Sequence, residues 1–216
     1  MINVAIIDYK MGNLFSVFHA CENVGLNPKI SSDPKILKES DAAILPGVGA
    51  FGEAMETLEK LDLIKPIKEY IDTGKSFMGI CLGFQLLFSE SEEFGLHKGL
   101  GIFEGMVKKF SITSINGGNV KIPQIGWNQI YNYGNSWELS PLVGIDEGEY
   151  MYFVHSYYVE PVDDKIKMTK TIYECFEYCS SINKGNVFAT QFHPEKSAKE
   201  GLKIYKNWAR QINNRG

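Results

Sequence analysis

Apolar residues follow two rhythms along this chain of 216 residues. Residues 2–7 are apolar except for Asn3 and end at Asp8, whereas over residues 14–24 apolar positions recur every three or four places and stop at Gly25. The first rhythm predicts a buried strand and the second an amphipathic helix closed by glycine. Residues 41–45 repeat the strand rhythm and end in Pro46-Gly47, a helical pattern runs over about 52–71 to Thr73-Gly74, and residues 76–80 predict another buried strand.

Strands alternating with helices in this order predict an α/β fold: a central, mostly parallel sheet with helices on both faces and ligands at the carboxyl ends of its strands. Past Glu93 the texture changes to short β-like runs at 100–110, 120–122 and 126–131, with a turn cluster at Asn116-Gly117-Gly118-Asn119. Antiparallel hairpins are expected to extend the sheet there. Residues 150–159, 168–174 and 187–192 read as further strands and 198–212 as a closing amphipathic helix. No repeat, linker or low-complexity segment interrupts the pattern, so residues 1–216 are expected to form one domain.

Charge narrows the choice of partner. The 22 basic and 26 acidic residues are intermixed, with a net charge of −4 and no polybasic run, which leaves no electrostatic footprint for nucleic acid or anionic lipid. No apolar stretch approaches the ~20 residues that span a bilayer, and the first eight residues lack the basic start of a signal peptide, so a cytoplasmic location is expected. Four cysteines in a chain of this length do not make a disulfide framework and are expected as reduced thiols. Cys175 and Cys179 are spaced like two metal ligands, but no second pair or nearby histidine completes a zinc shell, so no metal is expected.

Gly79-Ile80-Cys81-Leu82-Gly83 carries the chemistry. A nucleophile between two glycines, with a predicted strand before it and a helix after it, has the spacing of a nucleophile elbow, with cysteine in the place of serine. Glycine relieves the crowding of so sharp a turn. The first turn of a helix presents unpaired N–H groups and a positive dipole end, which favour the attacking thiolate. A lone cysteine is more often a small buried hydrophobe, and the paired glycines move the balance towards the nucleophile.

A thiol nucleophile needs a proton shuttle, and the histidines are His19, His97, His155 and His193. His193 lies in Gln191-Phe192-His193-Pro194-Glu195 after a predicted strand, where Pro194 biases it towards an extended conformation. Glu195 is then placed to accept the Nδ1 hydrogen of His193 and leave Nε2 facing the sulfur. His19, on a helical pattern, and His97, in a glycine-flanked loop, are not expected to be catalytic. His155 has no acid two residues on; a core or supporting role is expected, with a catalytic one in reserve.

Gly47-Val48-Gly49-Ala50-Phe51-Gly52 matches a dinucleotide fingerprint, yet the next strand ends at Cys81 instead of an acidic residue, and Asp72 precedes that strand. The nicotinamide reading fails on this point. The same glycines provide a loop beside the elbow whose N–H, at Gly47 or Val48, can face an oxyanion opposite that of Leu82.

The Cys81 and His193 motifs, with Pro46-Gly47-Val48-Gly49 between β and α patterns, resemble class I glutamine amidotransferases. Together with Asp8, Gly12-Asn13-Leu14, Gly126-Trp127-Asn128 and residues 152–157, they are similar along the whole chain to the glutaminase subunits of imidazole glycerol phosphate synthase. The resemblance implies that Cys81 attacks the side-chain amide of L-glutamine and that Gly49, Gln85, His155, Ser156 and Tyr157 surround the substrate. It also implies a (β/α)8 barrel synthase subunit as heterodimer partner, receiving ammonia for a step of histidine biosynthesis, with Asn13, Trp127, Asn128, Tyr152 and Lys196 on the docking face and no cofactor. The motifs fill the chain from Pro46 to Ser197 and leave no room for an acceptor domain. Lys10-Met11 and Gln124 depart from the family pattern, in a manner that resembles paralogues supplying ammonia to amidinate bacterial surface sugars. An inactive interaction subunit, or a cysteine hydrolase with another acyl substrate, are the readings from other classes.

Overall fold

A computed structural model describes residues 1–110 and 121–215. The opening rhythm becomes β1 (Asn3–Ile7) and α1 (Leu14–Asn23). Two elements that the pattern did not announce follow: β2 (Asn27–Ser31) and α2 (Pro34–Glu39). β2 is an edge strand containing Pro28, half exposed, so no apolar run marks it. The six-residue α2 is started by Asp33, whose carboxylate accepts the Lys35 N–H at 2.8 Å, and by Pro34 in its first turn.

β3 (Ala42–Leu45) agrees with its pattern, but the single helix expected over about 52–71 is two, α3 (Phe51–Lys60) and α4 (Ile64–Asp72). Asp62 adopts φ 53°, the Leu63 N–H bonds to the Leu58 carbonyl and the Asp62 N–H to that of Glu59, which is a Schellman-type stop. Leu63 is buried at the junction and keeps the apolar spacing in phase across the break, which hid it in the sequence.

β4 (Ser76–Ile80) and the short α5 (Leu82–Leu86) flank Cys81. Then come β5 (Phe88–Ser91), β6 (His97–Lys98), β7 (Phe103–Lys109), β8 (Gln124–Asn132), β9 (Glu149–His155) and β10 (Tyr157–Pro161). β11 (Lys167–Tyr173), β12 (Phe176–Lys184), β13 (Val187–Thr190) and α6 (Ala198–Arg215) complete the described chain. The run expected at 150–159 is thus two strands broken at Ser156, and residues 121–122 of the run expected at 120–122 are not strand. The turn expected at 116–119 and residue 120 lie outside the described residues.

The sheet order is β2-β1-β3-β4-β13-β12-β10-β7-β5-β6, with β11, β8 and β9 as an antiparallel extension from β12. The first five strands are parallel to their neighbours, and antiparallel pairing begins at β12. Alternate residues face opposite sides. Ala5, Ala43, Leu45 and Phe77 join a core with α3 and α4, whereas Val4, Ile6, Ile44 and Met78 join a second core with α1 and α6.

This topology sets the site. In register, Leu45 pairs with Gly79 across β3 and β4, and Ile80 with Thr190 across β4 and β13. Three segments distant in sequence, beginning at Pro46, Cys81 and Gln191, therefore leave one edge side by side.

Candidate active site

Cys81 connects β4 to α5 at φ 55° and ψ −110°, a conformation sparsely populated by side-chain-bearing residues and costing on the order of 1–3 kcal/mol. Its N–H donates to the Thr190 carbonyl at 2.7 Å, which pins the bend to the end of β13. The two glycines are unequal. A Cβ on Gly83 would stand 1.8 Å from the Leu45 carbonyl oxygen, whereas on Gly79 the nearest atom would be 3.1 Å away. Crowding of the elbow thus comes chiefly from the helix side, where α5 passes over β3.

His193 is extended at φ −101° and ψ 94°, and Pro194–Lys196 form a single 3-10 turn. Across that turn His193 Nδ1 lies 2.7 Å from Glu195 Oε1, with the two side chains only 2% and 1% exposed. The turn brings the carboxylate back to the ring; an extended backbone over all three residues is not what does so. The His193 peptide is held by the Tyr152 carbonyl at 2.9 Å, and Ser197 Oγ spans from the His193 carbonyl to the Tyr152 N–H.

Nε2 of His193 has no well-formed hydrogen bond, and the Cys81 sulfur is the polar group beside it. Burial opposes protonation of this imidazole, but the Cys81 thiolate and the Glu195 carboxylate together outweigh it and push the pKa up to about 10. The arrangement stabilises an imidazolium facing the Cys81 sulfur. His155 is the opposite case: burial, aided by repulsion from His193 and opposed by the Tyr157 carbonyl, lowers its pKa to about 3. Its Nδ1 is 2.8 Å from the Tyr157 carbonyl and its Nε2 is 3.1 Å from the Tyr178 hydroxyl, so both nitrogens are committed and the ring has no free edge for proton transfer. His19 is exposed beside Glu22, and the His97 ring packs on Gly52.

A cavity of about 270 Å³ opens beside the sulfur. Its walls include Val48, Gly49, Cys81, Leu82, Gln85, His155, Ser156 and Tyr157, so every residue expected around a substrate meets there. One wall was not anticipated. Glu93, 8% exposed, lines the cavity while its Oε2 accepts the Phe51 N–H at 2.6 Å. Burial raises its pKa, and the Phe51 N–H, His97 and Lys109 oppose the rise. Its carboxylate occupies the N-terminus of α3, where a dinucleotide phosphate would have to sit. The signal was faint, since Glu93 follows two other acidic positions and only the fold turns it inward.

Gln85 donates from Nε2 to the Tyr157 carbonyl at 2.9 Å and to Gln191 Oε1 at 3.0 Å. Both hydrogens are therefore spent, and Oε1 is the atom left to meet a ligand. At the oxyanion positions the Leu82 N–H donates to the Gly47 carbonyl at 3.3 Å, so the donor expected to face an oxyanion is engaged by the loop opposite it. Gly47 is buried, and a Cβ there would be 2.1 Å from the Tyr9 hydroxyl; Val48 is exposed and Gly49 takes φ 111°.

The residues expected on a docking face separate into two groups. Trp127, 52% exposed, meets Tyr152 edge-on at 6.2 Å, and Lys196 Nζ lies 5.7 Å above the Tyr152 ring. Asn128 is tied to the Ile172 carbonyl at 2.9 Å, and Asn13 caps α1 through the Ser16 N–H at 3.4 Å. Gln124 points inward, 2% exposed, with Oε1 2.9 Å from the Tyr178 hydroxyl. Lys10 stays on the surface at φ 69°, a left-handed conformation that residues with side chains rarely adopt.

Among the described residues no group of His, Cys, Asp and Glu side chains is arranged to hold a metal ion, and no helix is long and apolar enough to cross a membrane. The cysteines are free thiols, Cys21, Cys81 and Cys179 buried and Cys175 in the turn between β11 and β12.

A cysteine on a strained strand-to-helix bend, a buried His–Glu pair just past the adjoining parallel strand and an α/β sheet covered on both faces define the chain's class. It belongs to the family "Glutamine amidotransferase class-I", whose model matches residues 5–212. Within that class it is 49% identical over 206 residues to imidazole glycerol phosphate synthase subunit HisH of Aquifex aeolicus, covering 95% of each chain. It is 46% identical to the subunit of that name from Sulfurimonas denitrificans, over 97% of this chain and 99% of the other. Among solved structures, PurLQS from Thermotoga maritima superposes with a TM-score of 0.74 at 20% identity, covering 98% of this chain and 100% of that one, a likeness of fold alone.

Proposed function

We propose that this chain is the glutaminase subunit of an imidazole glycerol phosphate synthase: it hydrolyses L-glutamine at Cys81 and passes ammonia to a (β/α)8 barrel subunit in histidine biosynthesis. The observation that carries the chemistry is the sulfur on the strained bend beside a buried imidazole that is itself held by Glu195. The relatives that share nearly the whole length support the destination, since each is named as a subunit of that synthase.

Cys81 Sγ attacks the carboxamide carbon, and the C=O electron pair moves to oxygen. His193 gives its proton to the amide nitrogen as the C–N bond breaks, which leaves a thioester and releases ammonia. Water, losing a proton to His193, then cleaves the C–S bond and regenerates the thiolate with glutamate as product. Glu93 supplies the negative charge for the substrate's α-ammonium, and Gln85 Oε1 accepts from the same group. The oxyanion takes the N–H groups of Leu82 and of the Gly47–Val48 loop after the Leu82–Gly47 hydrogen bond opens. A subunit alone, with that bond closed, is expected to be slow.

Docking uses the exposed aromatic patch around Trp127, Tyr152 and Lys196. The test is glutamate release by the chain alone and with candidate barrel subunits, each with its acceptor. Strong activation by the histidine-pathway barrel is the expected result. Activation only by a barrel that amidinates a surface sugar redirects the ammonia and leaves the Cys81 chemistry intact. No glutamate release with any partner overturns the proposal.

A further inference from the structure

The carbonyl of Tyr157 can only accept, and it fixes a chain of side-chain orientations. The Gln85 atom 2.9 Å from it must be the NH2 nitrogen. That nitrogen's second hydrogen points to Gln191, so the facing atom, 3.0 Å away, must be Gln191 Oε1. The remaining end of Gln191 is then its NH2, which lies 3.7 Å from Cys81 Sγ. Gln191 is fully buried, and its own N–H is fastened to the Ser180 carbonyl at 2.9 Å, so the side chain starts from a fixed point in the sheet.

From this we infer that Gln191 is a positioning residue: its amide N–H holds the Cys81 sulfur as a thiolate directed at the imidazole, and its Oε1 ties that sulfur to the substrate-facing Gln85. The sulfur also reaches the Val154 carbonyl at 3.8 Å, a partner that suits the thiol because it can only accept. Gln191 suits the thiolate, because it donates. The two contacts on the sulfur thus separate its protonation states, and Gln191 favours the reactive one. The inference rests on Cys81 being the nucleophile proposed above.

The titratable groups around the sulfur are His193, backed by Glu195, at the end of β13, and Tyr9 at the end of β1; Glu93 and His155 line the same cavity. None of them is altered by substitution at 191. The experiment follows carboxamidomethylation of Cys81 by iodoacetamide on the intact chain from pH 5 to 10. Peptide mapping separates it from Cys21, Cys175 and Cys179, of which only Cys175 is not buried. Gln191→Met and Gln191→Leu both remove donor and acceptor and add no charge beside the sulfur, the first keeping the length of the side chain. Both are expected to slow alkylation at pH 7 about tenfold, the effect of one hydrogen bond to a charged group, and to move the rise of rate to higher pH. With the barrel bound, both are expected to lower kcat for glutamine, and the pH profile of kcat/KM is expected to move in the same direction as the alkylation profile.

A space-filling role predicts that Gln191→Met, of similar length and without charge, reacts as wild type does. Superposed alkylation profiles therefore overturn the inference, as does loss of the fold in both variants. If Gln191→Met alone fails to fold, Gln191→Leu decides. Wild-type chain that alkylates at Cys81 but releases no glutamate with any barrel sinks the glutaminase reading and leaves the Gln191 contact standing.

Discussion

Nδ1 of His193 and Oε1 of Glu195 lie 2.7 Å apart in a setting almost closed to solvent. Burial alone would make this imidazole a poor base, and its pKa of about 10 depends on the sulfur and the carboxylate beside it. Cys81→Ala is therefore expected to abolish glutamate release and to lower the His193 pKa, readable by NMR titration of the ring. Glu195→Gln should cut kcat by at least about tenfold by misorienting the ring. The same shift has a stability sign. A histidine raised from 6.5 to about 10 contributes most below pH 6.5 and loses that contribution as pH climbs through about 10. Stability should fall more steeply between pH 6.5 and 10 in wild type than in Cys81→Ala.

His155 carries the opposite sign. Its folded pKa of about 3 lies below the ordinary 6.5, so its neutral form contributes fully above pH 6.5, and stability falls by up to about 1.4 kcal/mol per unit as pH drops towards 3. Denaturant midpoints between pH 7 and 4 should fall steeply in wild type and less steeply in His155→Gln.

The elbow glycines should differ in tolerance. Gly83→Ala drives a methyl into the Leu45 carbonyl at 1.8 Å and is expected to prevent folding or cost more than about 3 kcal/mol. Gly79→Ala meets its nearest atom at 3.1 Å and should fold with a smaller loss. Thermal melts of the pair check the order.

Glu93→Gln removes the cavity's buried carboxylate and keeps an oxygen for the Phe51 N–H. KM for glutamine should rise about 10- to 100-fold with a smaller change in kcat, since a charge-assisted hydrogen bond to the ammonium is lost. Steady-state kinetics at saturating barrel subunit read this directly.

Trp127 is half exposed and meets Tyr152 edge-on. Trp127→Ala should leave the melting transition within about 0.5 kcal/mol of wild type while weakening association with the barrel subunit at least tenfold. Calorimetric titration together with a melt separates the two effects.

The sequence by itself determined the α/β alternation, the bend at Cys81 and the short list of histidines. Each is written in local terms: apolar periodicity, two glycines at fixed spacing, an acid two places after an imidazole. Local pattern did not find β2, because an edge strand carries no apolar run, nor the stop at Asp62, because Leu63 keeps the helical phase through it. Glu93, Gln191 and the closed Leu82–Gly47 hydrogen bond were decided by tertiary structure alone. Their partners lie on segments distant in sequence, and only the folded sheet, with β3, β4 and β13 side by side, gathers those polar atoms at the end where Cys81 stands.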